Sequence, residues 1–148
     1  GEGRTSRYLE ELGFYPTVSD AVYEFVDILN KDGRKKPAVI LDCLNQNIDP
    51  AQDLIIANAV LLHFTDKEIE EVFRRFSSSL KPEGKLAFSV KTKEKLLSEG
   101  KDPLGSRYFN SWSKKELIDM LGKNGFDNTK FIGETENMLR CITQKIAS

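Results

Sequence analysis

The chain has 148 residues, enough for one domain with a sizeable buried core. Apolar residues make up 39% and charged residues 30%, the balance of an ordinary globular protein rather than a disordered or membrane-spanning one. Lys plus Arg total 22 against 23 for Asp plus Glu, and the resulting net charge of −1 removes the broad electrostatic footprint of a nucleic-acid binder.

Helical periodicity opens the chain. Tyr8, Leu9 and Leu12 share a face over Arg4 to Leu12, and Gly13 supplies a terminator. A short strand is expected over Tyr15 to Ser19, ending at Asp20. A second helix follows from Ala21 to Lys31, with Val22, Phe25, Val26 and Leu29 at helical spacing and Asp32-Gly33 closing it. The run Ala38 to Leu41, ending at Asp42, reads as a strand buried on both faces, and so does Asp53 to Ala59 beyond the loop Asn45 to Gln52. Thr65 and Glu68 form a capping box for a helix whose stripe is Ile69, Val72, Phe73, Phe76 and Leu80; Lys81-Pro82-Glu83-Gly84 stops it. Lys85 to Lys91 is a strand. Residues 92–107 form a polar insertion, read as a lid or substrate loop with one helical turn around Lys95 to Leu97. Ser113 and Glu116 cap a last helix that runs to Asn124-Gly125. Strands at Thr129 to Ile132 and Met138 to Gln144 then make an antiparallel hairpin.

The order αβαβ(loop)βαβ(insert)αββ predicts one α/β domain over 1–148. It is an open, mostly parallel, Rossmann-like sheet with helices on both faces and a C-terminal antiparallel hairpin. Ligands of such sheets bind beyond the C-terminal ends of the strands, which are marked here by Asp20, Asp42, Asn58 and Lys91. Gly1-Glu2-Gly3 directly precedes the first helix, where glycine lets backbone approach a ligand and the helix start offers free N–H groups; a tag remnant is the alternative source of these residues. Asp20 stands seventeen residues after Gly3, the separation at which an acidic residue in nucleotide-binding α/β folds meets ribose hydroxyls. Its other reading is as the N-cap of the helix that starts at Ala21. The two cysteines, Cys43 and Cys141, form no CxxC pair and His63 is the single histidine, so no zinc or other metal site is expected; this cysteine usage fits a cytoplasmic protein.

These segments together resemble the class I S-adenosylmethionine-dependent methyltransferases, in their small-molecule branch. GEGRTSRYLEELG is similar to the second half of that family's glycine-rich first motif, TVSD to its acidic second-strand end and ILDC to its third-strand end. DLIIANAVLLHF resembles the fourth strand, FRRFSSSLKPEGKLAFSV the helix, turn and fifth strand, and RYFNSWSKKELIDMLGKNGF the late strand–helix–Gly-Phe pattern. The resemblance implies S-adenosyl-L-methionine as cofactor. Gly1, Gly3, Asp20, Ala21, Asp42, Cys43 and Asn58 would line its site, with Asp42 facing the adenine amine and the Cys43 backbone facing the ring. It also implies in-line methyl transfer to a small-molecule acceptor, for which alignment matters more than a strong base.

His63 is the candidate base, because imidazole exchanges protons near neutrality; its other reading is structural, ahead of the Thr65 helix. Tyr108 and Lys91 are candidate acceptor contacts; Phe109 lines the same pocket or packs, and Trp112 packs the following helix. Cys43 serves equally well as a small packing residue. Arg34-Lys35-Lys36 and the lysines from Lys91 to Lys95 read as solvated surface without interleaved aromatics, against a nucleic-acid partner, and no segment is long enough to span a membrane. Two other functions share the pattern: a methyltransferase-like domain that binds without catalysis, and a nicotinamide-dependent oxidoreductase. The family's first strand, with its acidic residue, has no counterpart here. The chain is therefore read as N-terminally truncated, with the gap between the strands at Asp20 and at Asp53 filled by residues outside this numbering, by a second copy, or by direct pairing of those two strands.

Overall fold

The alternating helical and strand periodicities produce two units, Gly1–Asn47 and Ile48–Ser148, in a computed structural model that describes residues 1–93, 109–135 and 137–147. In the first unit, α1 (Arg4–Glu11) is followed by β1 (Ser19–Asp20), α2 (Tyr23–Lys31) and β2 (Val39–Ile40). The two strands are parallel, with Ser19 opposite Val39 and Asp20 opposite Ile40, and α2 is the crossover that a parallel pair requires. The unit's core is small: Val26, Leu29 and Ala38, with Val18 packed against them.

Several expectations change here. The strand expected over Tyr15 to Ser19 shortens to Ser19–Asp20. Tyr8 on α1, Leu12 just after it, Val22 just before α2 and Phe25 on α2 are exposed rather than buried, and Ser6 is the buried residue of α1. Val39 and Ile40 are also exposed, at 43% and 49%, so β2 is not a strand covered on both faces. Apolar sequence reports which surface would gain from cover; burial itself depends on neighbours, and this unit supplies few.

The second unit holds β3 (Gln52–Ala57), a 3-10 turn (Leu61–His63), α3 (Asp66–Ser79), β4 (Leu80–Thr92), β5 (Ser111–Trp112), α4 (Lys114–Lys123), β6 (Phe126–Glu134) and β7 (Met138–Lys145). Its sheet runs β3-β4-β7-β6, with β5 also paired to β4. β3 and β5 lie parallel to β4, whereas β7 is antiparallel to both β4 and β6. The expected terminal hairpin is therefore present. Both capping boxes form: the Thr65 hydroxyl accepts from the Glu68 N–H at 3.3 Å, and the Ser113 hydroxyl from the Glu116 N–H at 3.2 Å. The α3 stripe of Ile69, Val72, Phe73 and Phe76 is buried, and the Phe73 ring lies 5.4 Å from that of Phe88 and 6.4 Å from that of Phe126. No helix among the described residues is long and apolar enough to cross a membrane.

Two further corrections concern the parallel strands. Lys81 to Gly84 do not form a turn before β4 but lie inside it. The register passes from Gln52 opposite Leu80 to Leu54 opposite Lys85, and the extra residues bulge out with Glu83 at φ 63°. A side chain at Gly84 would come within 2.9 Å of the Lys81 carbonyl oxygen, which accounts for the glycine. β3 is an edge strand within its sheet, and Leu54 and Ile56 are 44% and 39% exposed, contrary to a strand buried on both faces. Among the described residues β1 pairs with β2 and β3 with β4.

Candidate functional site

In the first unit, Gly3 is the N-cap of α1 at φ 78°, and a Cβ there would approach Leu29 Cδ2 to 2.5 Å. Left-handed backbone and close packing both demand glycine at this position. The Gly1 nitrogen lies against the Asp20 carboxylate. Asp20 closes β1, and its other carboxylate oxygen accepts the Val22 N–H at 2.9 Å. That bond makes a local turn through Ala21, which is exposed. It is not a helix cap: the N-cap of α2 is Val22, which makes no side-chain bond, so the alternative reading of Asp20 as a cap does not hold.

The parallel ladder brings the third-strand end alongside. The Leu41 N–H donates to the Asp20 carbonyl at 3.0 Å, and Asp42 is the next residue. Asp42 builds the turn that follows β2: its carboxylate accepts the Leu44 N–H at 3.0 Å and the Asn45 amide at 2.7 Å. Gln46 Oε1 accepts the Asp42 N–H at 2.6 Å. Cys43, half-buried, sits within that turn. Two carboxylates at adjacent parallel strand ends can accept hydrogen bonds from hydroxyls and amines.

Arg34 was expected in solvent and is not. Its side chain is 2% exposed and pairs with Glu10 at 2.8 Å, with Nη1 lying against Gly3. Nε and Nη1 find no partner among the described residues. A basic run in sequence carries no mark of which member turns inward.

In the second unit, Asn58 follows β3 and is exposed. Ser89, on the neighbouring β4, donates to Asn58 Oδ1 at 2.7 Å and accepts the Ala59 N–H at 2.8 Å. This clamp holds Ala59 at φ 55°, an uncommon conformation for a residue with a side chain. Ser89 was absent from the sequence-derived candidates, and a serine in a strand gives no signal of such a task. Beyond the turn, the His63 ring stands 5.1 Å from that of Phe109, and Lys91 Nζ lies 3.9 Å from the centroid of the same ring. The Asn110 N–H donates to the Leu62 carbonyl at 2.8 Å, and the Trp112 indole donates to Asp66 at 2.8 Å, which fixes the approach of β5. Three residues from three segments thus converge at the end of β4. Tyr108 and most of the 92–107 insertion lie outside the described residues.

Cys141 is buried on β7, and burial pushes its thiol up to about 12, with nearby Lys114 opposing weakly. It belongs to the core and not to a site.

A methyltransferase-domain family model matches residues 1–88. The chain belongs to the methyltransferase-domain family. The match runs through both units and covers the Gly3 turn, Asp20, Asp42, Asn58 and His63. None of the curated proteins compared with it matches. Solved structures agree on the fold. A SAM-dependent methyltransferase from Methanosarcina mazei superposes with a TM-score of 0.77 at 17% identity, over 100% of this chain and 90% of that one. Human N-acetylserotonin methyltransferase, in complex with SAM, gives 0.76 at 18% identity, over 99% and 46%. A protein from Bordetella parapertussis gives 0.71 at 20% identity, over 87% and 52%. The chain therefore spans about half the length of the last two. The resemblance to the class I methyltransferase fold, with its parallel strands and antiparallel hairpin, holds for this chain.

Proposed function

We propose that residues 1–148 act as one S-adenosyl-L-methionine-binding domain that transfers a methyl group to a small-molecule acceptor. The observation that carries this reading is the β1–β2 ladder, which brings Asp20 and the Asp42 turn to the same end of two parallel strands. Gly3, Asp20, Ala21, Asp42 and Cys43 would hold the nucleoside portion. Asn58 keeps its amide nitrogen for a ligand, because Ser89 engages its oxygen. The cofactor, when bound, supplies an electrophilic methyl; the chain's own residues orient the acceptor and keep water out. His63, beside Phe109, is the group proposed to take the acceptor's proton. The human neighbour acts, by its name, on N-acetylserotonin, which supports a small acceptor, and the balanced charge argues against a nucleic acid. Free cysteines support a cytoplasmic location. Exposed Leu54 and Ile56 on the edge strand β3 support cover by a further strand in the working protein.

Calorimetric titration with S-adenosylmethionine, S-adenosylhomocysteine and NAD tests the reading. The first two should bind and NAD should not. Binding of NAD alone would replace methyl transfer with hydride transfer.

A further inference from the structure

Three lysines of the second unit are held by carboxylates, and most of the others are exposed. Lys81 pairs with Asp53 at 2.7 Å, Lys93 with Glu116 at 2.7 Å and Lys114 with Glu134 at 3.2 Å. Lys91 pairs with no carboxylate among the described residues; its ammonium lies over the Phe109 ring. An aromatic face attracts a cation but does not neutralise it, and it cannot accept the directed hydrogen bonds that water gives up when it leaves. Lys91 is half-buried, so part of that water is already gone. The position is also particular. Lys91 lies near the C-terminal end of β4, opposite Ser111 of parallel β5 on one side and Met138 of β7 on the other. Ligands of open α/β sheets bind at this end of parallel strands. The His63 ring flanks the same platform at an interplanar angle of 38°.

We propose that Lys91, seated on Phe109, binds the carboxylate of a planar aromatic acceptor, so that the acceptor class is an arenecarboxylate. The carboxylate supplies the counter-charge that Lys91 lacks among the described residues, and the arene lies against Phe109 and His63. Lys91 and Phe109 are then specificity-determining residues, and His63 lies within reach of the bound ring. This inference rests on the methyltransferase reading for the word acceptor, but its binding step can be tested separately.

His63 is the single histidine, so its ring protons give one unmistakable set of imidazole signals in an NMR titration. The protein is titrated with benzoate and, separately, with uncharged benzamide at constant pH and ionic strength. Benzoate should shift the His63 signals saturably, with an affinity at least about tenfold above that of benzamide. Lys91→Met should bring benzoate down to the level of benzamide, and Phe109→Leu should weaken benzoate while preserving part of its preference. Equal binding of the two probes overturns the proposal, and so does undiminished benzoate binding to a folded Lys91→Met or, if that variant does not fold, to Lys91→Gln. Calorimetry with S-adenosylhomocysteine on the same samples separates the two ideas. Failure of S-adenosylhomocysteine to bind, with benzoate preferred, sinks the methyltransferase reading and leaves the carboxylate site. The reverse result sinks the carboxylate site alone.

Discussion

Asp20 carries two bonds that report on different properties. One oxygen closes a turn onto the Val22 N–H; the other, against the Gly1 nitrogen, is the one proposed to face ribose hydroxyls. Asp20→Ala should therefore weaken S-adenosylhomocysteine by about 2–4 kcal/mol, the worth of one to two charge-assisted hydrogen bonds. Thermal stability should change by less, about 1 kcal/mol, since the lost turn bond lies at the surface. Calorimetry and a melting curve on one preparation read both, and an unchanged affinity in a folded variant removes Asp20 from the site. Gly3 should behave in the opposite way. Its φ of 78° and the 2.5 Å approach to Leu29 make Gly3→Ala a structural lesion. A left-handed residue with a side chain costs about 1–2 kcal/mol before any repacking, so denaturant midpoints should fall clearly. Glycine and aspartate were both legible in the sequence as candidates, because the spacing of a βαβ turn is local. The turn that Asp42 builds from Leu44, Asn45 and Gln46 was not, nor was the inward course of Arg34, since each depends on where a side chain points and not on its place in the chain.

Helix ends were the most readable elements. Thr65 with Glu68, and Ser113 with Glu116, each satisfy two backbone groups within four residues, so no distant contact can override the signal. Ser113→Ala should cost about 1 kcal/mol, measured by urea denaturation. Glu116 adds a pH dependence. The Lys93 ammonium, and then the Ser113 N–H, stabilise its carboxylate and hold it at about 2, well below the usual carboxylate range. The unfolded chain takes up this proton near the ordinary glutamate value, about 4.3, whereas the folded helix resists until about 2. The contribution is thus complete at neutral pH and disappears as pH falls through that window. The carboxylate is well exposed, so the effect is held to a fraction of a kcal/mol up to about 1 kcal/mol. Melts of the wild type and Glu116→Gln should differ at pH 7 and converge near pH 2. Strands were harder to read than caps. β1 and β2 contract to two residues each, and the apolar runs that promised two covered faces leave Val39, Ile40, Leu54 and Ile56 exposed. A run of Val and Ile states a preference, but the partners that would satisfy it come from elsewhere.

At the scale of the whole chain, the two units are unequal in apolar resources. Gly1–Asn47 buries a cluster of Val26, Leu29 and Ala38, whereas Ile48–Ser148 buries Phe73, Phe88, Phe126, Trp112 and most of the large aliphatic side chains. A segment of the first size rarely folds without help. Residues 48–148 expressed alone should therefore give cooperative unfolding and dispersed amide spectra, while residues 1–47 alone should give neither; a folded 1–47 fragment would refute this. Within the larger unit, β4 is the common partner of β3, β5 and β7, with Leu86, Phe88 and Val90 buried along it. Each of its amide protons is held in one of the two flanking ladders, so in deuterated water their loss reports the opening of the sheet's interior. Amides around β1 and β2, each with one neighbour, need only a local breath. The molecule thus carries two clocks, a fast one at β1 and β2 and a slow one in β4, and a ligand that binds at the first should slow it without resetting the second.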